Sequence, residues 1–402
     1  MTNETKNVPE LRFPEFDGEW EKKVLGEISN RVKRKNTNSV SKMPLTISGA
    51  LGLVDQVTYF SKSVSAKNLD NYTLIKNGEF AYNKSYSNGY PLGAIKRLER
   101  YDQGALSTLY ICFKFNDSQS SEFMKQYFES DKWYKEVSQI AVEGARNHGL
   151  LNIPVNDFFS INLFTPILTE QQKIGEFFSK LDRQIELEEQ KLAKLEEQKK
   201  GYMQKIFSQE LRFKDENGNE YPEWENQTIE NLLKERNERS SEGDMLSVTI
   251  NSGIIKFNEL DRKDNSSKDK SNYKVVKKND IAYNSMRMWQ GASGKSEYDG
   301  IVSPAYTVVY PLENVNSVFI AYLFKTYKMI HIFKINSQGL TSDTWNLKYK
   351  QLKDINIKIP ILAEQERIAE FFKNIDKLIE KQSNKLKVLN ENKKGYLQKM
   401  FI

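Results

Sequence analysis

Two histidines (His148 and His331) and one cysteine (Cys112) are all that this chain offers toward a Cys/His metal cage. A tetrahedral zinc site needs about four such ligands, so none is expected. The run Gly291-Ala-Ser-Gly-Lys295-Ser296 has the ingredients of a phosphate loop. It is two residues short between its glycines, and that length is what lets backbone amides wrap phosphates. No glycine-rich cofactor loop follows a strand-like run, and no Asn-Pro-Pro-Tyr-type methyltransferase motif occurs. No catalytic residue and no metal ligand is assigned. Glycine-flanked loops also carry polar, aromatic and basic side chains able to hydrogen-bond and stack. In the first half of the chain they are Lys84, Ser85, Tyr86, Ser87 and Asn88, with Arg146, Asn147 and His148. In the second half they are Met286, Arg287, Met288, Trp289 and Gln290, with Thr341, Ser342 and Asp343. Arg34 and Lys35, inside a basic cluster, are candidates for phosphates; Ser48 and Asn251 occupy comparable earlier loops. Met288 and Trp289 read equally well as domain core, and the basic clusters as solvated loops.

Lysine and arginine outnumber acidic residues by 60 to 54, a net charge of +6. That balance permits nucleic-acid binding without demanding it. No apolar run approaches the ~18 residues that span a bilayer. The first residues are polar, and a lone cysteine suits a reducing compartment. These features lead us to expect a soluble cytoplasmic protein that makes no membrane contact.

Such loops need a scaffold, and the sequence writes its scaffold twice. Pro166–Phe207 and Pro360–Phe401 align without a gap and are identical at more than half of their positions. Each reads as one long helix with a coiled-coil seam. The first seam is Ile174, Phe178, Leu181, Ile185, Leu192, Leu195, Tyr202 and Ile206, interrupted by Glu188 and Lys199. The second is Ile368, Phe372, Ile375, Ile379, Leu386, Leu389, Tyr396 and Met400, interrupted equivalently by Gln382 and Lys393. An amphipathic rod cannot bury its stripe alone. The two copies are each other's natural antiparallel partners, the alternative being that each docks on its own domain. Fainter echoes precede the rods: Glu10-Leu-Arg-Phe13 and Glu210-Leu-Arg-Phe213, Ala81-Tyr-Asn83 and Ala282-Tyr-Asn284. The expected order is domain 1–165, rod 166–208, domain 209–358, rod 359–402. The domains are α+β: Ala105–Phe115 and Ile301–Tyr310 read as strands, Ser121–Ile140 and Ser317–Ile335 as helices. Because Phe207 is followed by what the N-terminus supplies at Glu10–Phe13, the repeat predicts a cyclic, pseudo-two-fold molecule with adjacent termini.

The rod openings Pro166-Ile-Leu-Thr-Glu-Gln171 and Pro360-Ile-Leu-Ala-Glu-Gln365 form a specific pattern with Asp182, Asp376 and the Gly-Tyr-x-Gln-Lys near each rod end. With the run Asp280–Ala292, it resembles the specificity subunits of type I restriction-modification systems across nearly the whole chain. The resemblance implies a non-catalytic, sequence-specific DNA-binding subunit. In it two target-recognition domains each read half of a bipartite, asymmetric site, the loop residues named above serving as the candidates for base edges and phosphates, and the rods set the gap. It also implies as partners double-stranded DNA, two modification (methyltransferase) subunits and ATP-dependent restriction subunits. S-adenosylmethionine, ATP and Mg2+ would sit on those partners, with no cofactor on this chain. From another class, a coiled-coil adaptor without a DNA role is the rival reading; a lone DNA-modifying enzyme is disfavoured by the missing cofactor loop.

Overall fold

The computed structural model describes residues 7–61, 68–141, 151–250, 253–260, 269–341 and 344–402. It is an α+β protein of two compact units built on one plan. One unit comprises everything described up to Glu189 together with Asn384–Ile402; the other is Gln190–Ser383. Each long helix, Leu168–Phe207 and Leu362–Lys399, is therefore shared between units.

In the first unit an antiparallel ribbon, Glu21–Val24 against Asn162–Thr165, leads into a four-stranded sheet. Its order is Ser29–Arg31, Ile111–Phe115, Phe80–Asn83, Ala94–Arg97. The second unit repeats both parts, with ribbon Glu225–Thr228 against Asn356–Ile359. Its sheet runs Leu233–Glu235, Tyr306–Pro311, Ile281–Asn284, Ser293–Lys295. A further sheet in the first unit (Gly52–Asp55, Pro44–Ser48, Gln103–Leu106, Thr73–Lys76) appears in the second as two hairpin-like pairs. The parallel register between Pro44 and Ala105 survives there as a single bridge between Met245 and Ile301. Cys112 is buried among Leu45, Ala81 and Leu106, and burial pushes its thiol up to about 12, so it is a core residue.

Two expectations are corrected in detail. Ala105–Phe115 is not one strand but the end of Gln103–Leu106 and all of Ile111–Phe115, which lie in different sheets. The chain turns between them, where the Tyr110 amide donates to the Ser107 carbonyl at 3.1 Å. Ser303 and Tyr306 make the same turn in the second unit at 3.0 Å. Likewise each expected helix is two, Ser121–Glu129 with Tyr134–Ile140 and Ser317–Phe324 with Tyr327–Asn336. In the second unit the break is made by Thr326, whose hydroxyl caps the following helix at the Met329 amide.

The rods satisfy both readings of their apolar stripe, in different stretches. Ile174 and Phe178 sink into the first domain's core beside Met400 and Phe401; Ile368 and Phe372 do so in the second beside Ile206. Beyond those ends the helices run antiparallel within each unit. Phe177 meets Tyr396 at 5.1 Å and Tyr202 meets Phe371 at 5.2 Å, both edge-to-face. Three of the four polar interruptions prove to be members of interhelical pairs. Lys393 reaches Asp182 at 2.7 Å and Lys199 reaches Asp376 at 2.6 Å, while buried Glu188 holds Lys385 at 2.8 Å. The shared Glu-Gln opening fixes each rod to its domain. Glu170 and Glu364, fully buried, take Arg12 and Arg212. Gln171 accepts from the Ser120 amide and donates to the Pro166 carbonyl; Gln365 does the same with Asn316 and Pro360.

The first and last described segments meet as this plan requires. The Leu11 amide donates to the Lys399 carbonyl at 2.9 Å, and Leu211 to Lys205 at 3.1 Å in the uninterrupted copy.

Candidate nucleic-acid interface

In each domain a central strand, Phe80–Asn83 or Ile281–Asn284, delivers a loop to the surface. The first residue of that loop is tied by its carbonyl to a second loop arriving from the helical side. Lys84 accepts from the Leu151 amide at 2.9 Å, and Ser285 from the Leu347 amide at 2.8 Å. This bond ties the strand-borne loop to the residues that follow the second nominated segment.

In the first domain Ser87 and Tyr90 bridge to form a hairpin tip, with Gly89 at φ +82°. Tyr86, Ser87 and Asn88 are exposed at that tip. Lys84 and Ser85 are half-buried, and Lys84 donates to the Ile153 carbonyl at 3.4 Å. The tip rests on Gly49, where any side chain would collide with the Tyr90 ring. Ser48 is buried beneath it and its hydroxyl accepts from the Leu51 amide. Arg146, Asn147 and His148 lie outside the described residues, as do Ser342, Asp343 and Asn251.

In the second domain the loop becomes a short 3-10 turn, Met288–Gln290, closed by Gly291 at φ +84°. Met286, Arg287 and Gln290 are exposed and Trp289 is half-buried. Met288 is completely buried in the domain core, so it cannot meet a base edge, and the core reading holds for it. The Trp289 indole donates to the Met286 carbonyl at 3.0 Å and packs edge-on against Trp345 at 5.2 Å. Lys334 lies 5.6 Å over the Trp345 ring. Thr341 is exposed beside Leu340, which is wholly in solvent. Trp345, Lys334 and Leu340 escaped the sequence reading. The signal for Trp345 was available, an isolated aromatic in the Ser/Gly/Thr run Ser337–Trp345.

Underneath, Lys325 donates to the Gly291 carbonyl at 2.6 Å and the Ile250 carbonyl at 2.7 Å. Burial, and then the charge of Lys199, push it down to about 8. Arg34, nominated for phosphates, is exposed and also makes an ion pair within the domain. Its guanidinium grips the nearly buried Glu79 at 2.9 Å and the Leu74 carbonyl, and the Glu79 bond holds it protonated. Arg236 and Asp280 repeat the pair at 2.6 Å. Lys35 is exposed and donates to the Asn71 carbonyl.

Among the described residues no cluster of three or more His, Cys, Asp or Glu side chains is placed to hold a metal. Nor is any helix there long and apolar enough to cross a membrane.

Residues 18–197, and again 221–391, match the family described as the type I restriction modification DNA specificity domain. The chain belongs to this family. The family's role is DNA sequence specificity rather than catalysis, and the duplicated match coincides with the structural duplication. Among curated proteins it is similar to two from Methanocaldococcus jannaschii. One is the putative type I restriction enzyme MjaX specificity subunit, 31% identical over 87 residues, covering 22% of this chain and 20% of that protein. The other is the type I restriction enzyme MjaVIII specificity subunit, 29% identical over 128 residues, covering 32% and 29%. The chain thus spans less than a third of the length of these curated relatives. Its fold is similar to the type I restriction-modification S subunit from M. genitalium, with TM-score 0.57 at 12% identity, covering 98% of this chain and 99% of that one. A chain from a study of complex assembly and conformational transition in a type I R-M system gives 0.53 at 15% identity, covering 95% and 97%.

Proposed function

We propose that this chain is the DNA-reading subunit of a type I restriction-modification system. Each recognition domain, 1–165 and 209–358, reads one half of a bipartite site through its tied loop pair. The observation that carries the reading is the repeated tie, Lys84 to Leu151 and Ser285 to Leu347, which presents unlike side chains from like scaffolds. Two identical domains would favour a symmetric site; divergent loops on one frame suit two different half-sites. Tyr86, Ser87 and Asn88 face one half-site; Arg287, Gln290, Thr341 and the Trp289–Trp345 pair face the other, with Lys35 available to phosphates. Two modification subunits, carrying S-adenosylmethionine, would methylate adenine in each half. Restriction subunits would supply ATP-driven translocation and cleavage. The assembly works in the cytoplasm.

The test is methylome sequencing of cells expressing this chain with its neighbouring modification subunit, against cells with that subunit alone. Methyladenine at one gapped, two-part motif only when the chain is present is the expected result. Absence of chain-dependent methylation, with soluble partner verified, would sink the reading and favour a coiled-coil adaptor.

A further inference from the structure

The second unit contains a cavity of about 930 Å³ between the end of the first rod, the ribbon Glu225–Thr228/Asn356–Ile359 and the start of the helix Tyr327–Asn336. Its floor is apolar, including Met203, Phe207, Trp224, Ile330, Ile332 and Ile357. Five lysines line it, Lys199, Lys200, Lys325, Lys328 and Lys358, and no carboxylate does. Lys199 is paired with Asp376, and Lys325 donates to two backbone carbonyls. Lys200, Lys328 and Lys358 are exposed, and among the described residues they have no acidic partner. The start of Tyr327–Asn336, the positive end of that helix, lies at the same edge.

The first unit differs where the repeat would place a counterpart. Counting from the matched caps Ser120 and Asn316, Lys325 corresponds to Glu129 and Met329 to Trp133. Glu129 is spent on Lys96 at 2.7 Å, and Trp133 is almost completely buried. Ile332 corresponds to Glu136, whose carboxylate accepts from both the amide and the side chain of Asn162 at 3.0 Å. Two lining positions that are Lys325 and Ile332 in the second unit are thus glutamates in the first, while Lys328 keeps its counterpart in Lys132.

We propose that this groove seats a segment of a partner protein with apolar side chains on one side and carboxylates on the other, at the second domain only. DNA is a poorer match, because phosphates would satisfy the lysines and leave the apolar floor wet. The inference rests on the functional reading above, with the modification subunit as the partner tested. If the two recognition domains offer unequal seats, the two partner copies bind unequally.

The experiment is native mass spectrometry and titration of the full chain with its modification subunit, comparing wild type with Lys328→Glu/Lys358→Glu. Both lysines are exposed, so the fold is undisturbed. The expected result is that one of two partner copies binds at least tenfold more weakly, while duplex binding by the chain alone is unchanged. The matched reversal Lys132→Glu leaves both copies bound. Two copies retained at wild-type affinity would overturn the proposal. So would a loss of duplex binding with partner binding intact, which would reassign the groove to DNA. A wild-type chain that bound no modification subunit would instead overturn the functional reading itself.

Discussion

Arg287 is the exposed cation at the centre of the second domain's loop pair. A bidentate arginine–guanine contact is the commonest specific one, so Arg287→Ala is expected to cost about 1–3 kcal/mol and to relax preference at one position of one half-site. Competition binding against single-base variants of the site checks this; a uniform loss across all duplexes would mark Arg287 as a phosphate anchor. Lys325 acts beneath it as a positioning residue. Lys325→Met leaves the Gly291 and Ile250 carbonyls without a donor, a cost of about 1–3 kcal/mol. A lysine depressed in the folded state binds its proton less tightly there than in the unfolded chain. Its penalty is full below about 8 and is relieved as pH climbs toward the ordinary lysine value. Urea midpoints at pH 7 and 9.5 are therefore expected to show wild type gaining over the methionine variant at the higher pH. At this scale the sequence was half legible. Loop composition nominated Tyr86 and Arg287 as surface groups, and they are. It could not tell Met288 from its neighbours, because the 3-10 turn that drives Met288 inward is set by the packing of that turn on the helix Tyr327–Asn336. Nor could it show the ion pair of Arg34, because the partner Glu79 is distant in sequence.

The long helices were the most legible elements, since a seam repeated in two copies leaves little ambiguity of period. Their polar interruptions had no assigned partners until the antiparallel register paired Lys393 with Asp182 and Lys199 with Asp376. Burial alone would raise the Asp182 carboxyl, but Lys393 overrides it and holds it low. Asp376 also accepts from the Tyr322 hydroxyl at 2.5 Å, so each pair is anchored to its domain as well as to the opposite rod. Glycines inside the rods divide into two kinds. A Cβ at Gly175 would press on the Glu122 Cβ at 2.7 Å and the Phe123 amide at 2.9 Å, where the helix Ser121–Glu129 crosses closely. At Gly201 and Gly395 it would meet nothing. Gly175→Ala is accordingly expected to destabilise by about 1–3 kcal/mol. Gly201→Ala is expected to stabilise by about 1 kcal/mol. Denaturant midpoints of the two variants decide it; shifts of the same sign would refute the distinction. The strand limits were less legible at Ser107–Tyr110, a turn with neither glycine nor proline, whereas Pro304 does mark the turn at Ser303–Tyr306 and was passed over.

For the whole molecule the duplication governs what may be rearranged. The tie from Leu11 to Lys399 stands where the continuous chain passes from Lys205 to Leu211. A permutant with linked termini and a new opening near Ser208 is expected to fold and to bind the same DNA as wild type. An insoluble or inactive permutant would count against equivalence of the two junctions. The rods, helical from Leu168 to Phe207 and from Leu362 to Lys399, also make a proposal about spacing. Four residues inserted at matched points of both add about 6 Å, or about two base pairs of spacer. A methylated motif that kept its original gap would show that the rods do not measure distance.

The division of the chain also orders events during its synthesis. The second unit is one continuous stretch, Gln190–Ser383, and can assemble its core as soon as that stretch has left the ribosome. The first cannot. Its core holds Met400 and Phe401, the latter ringed by Trp20, Phe123, Tyr127 and Phe178. The domain begun first is thus closed after the second, and a chain broken off before Met400 joins a complete second core to an unfinished first one.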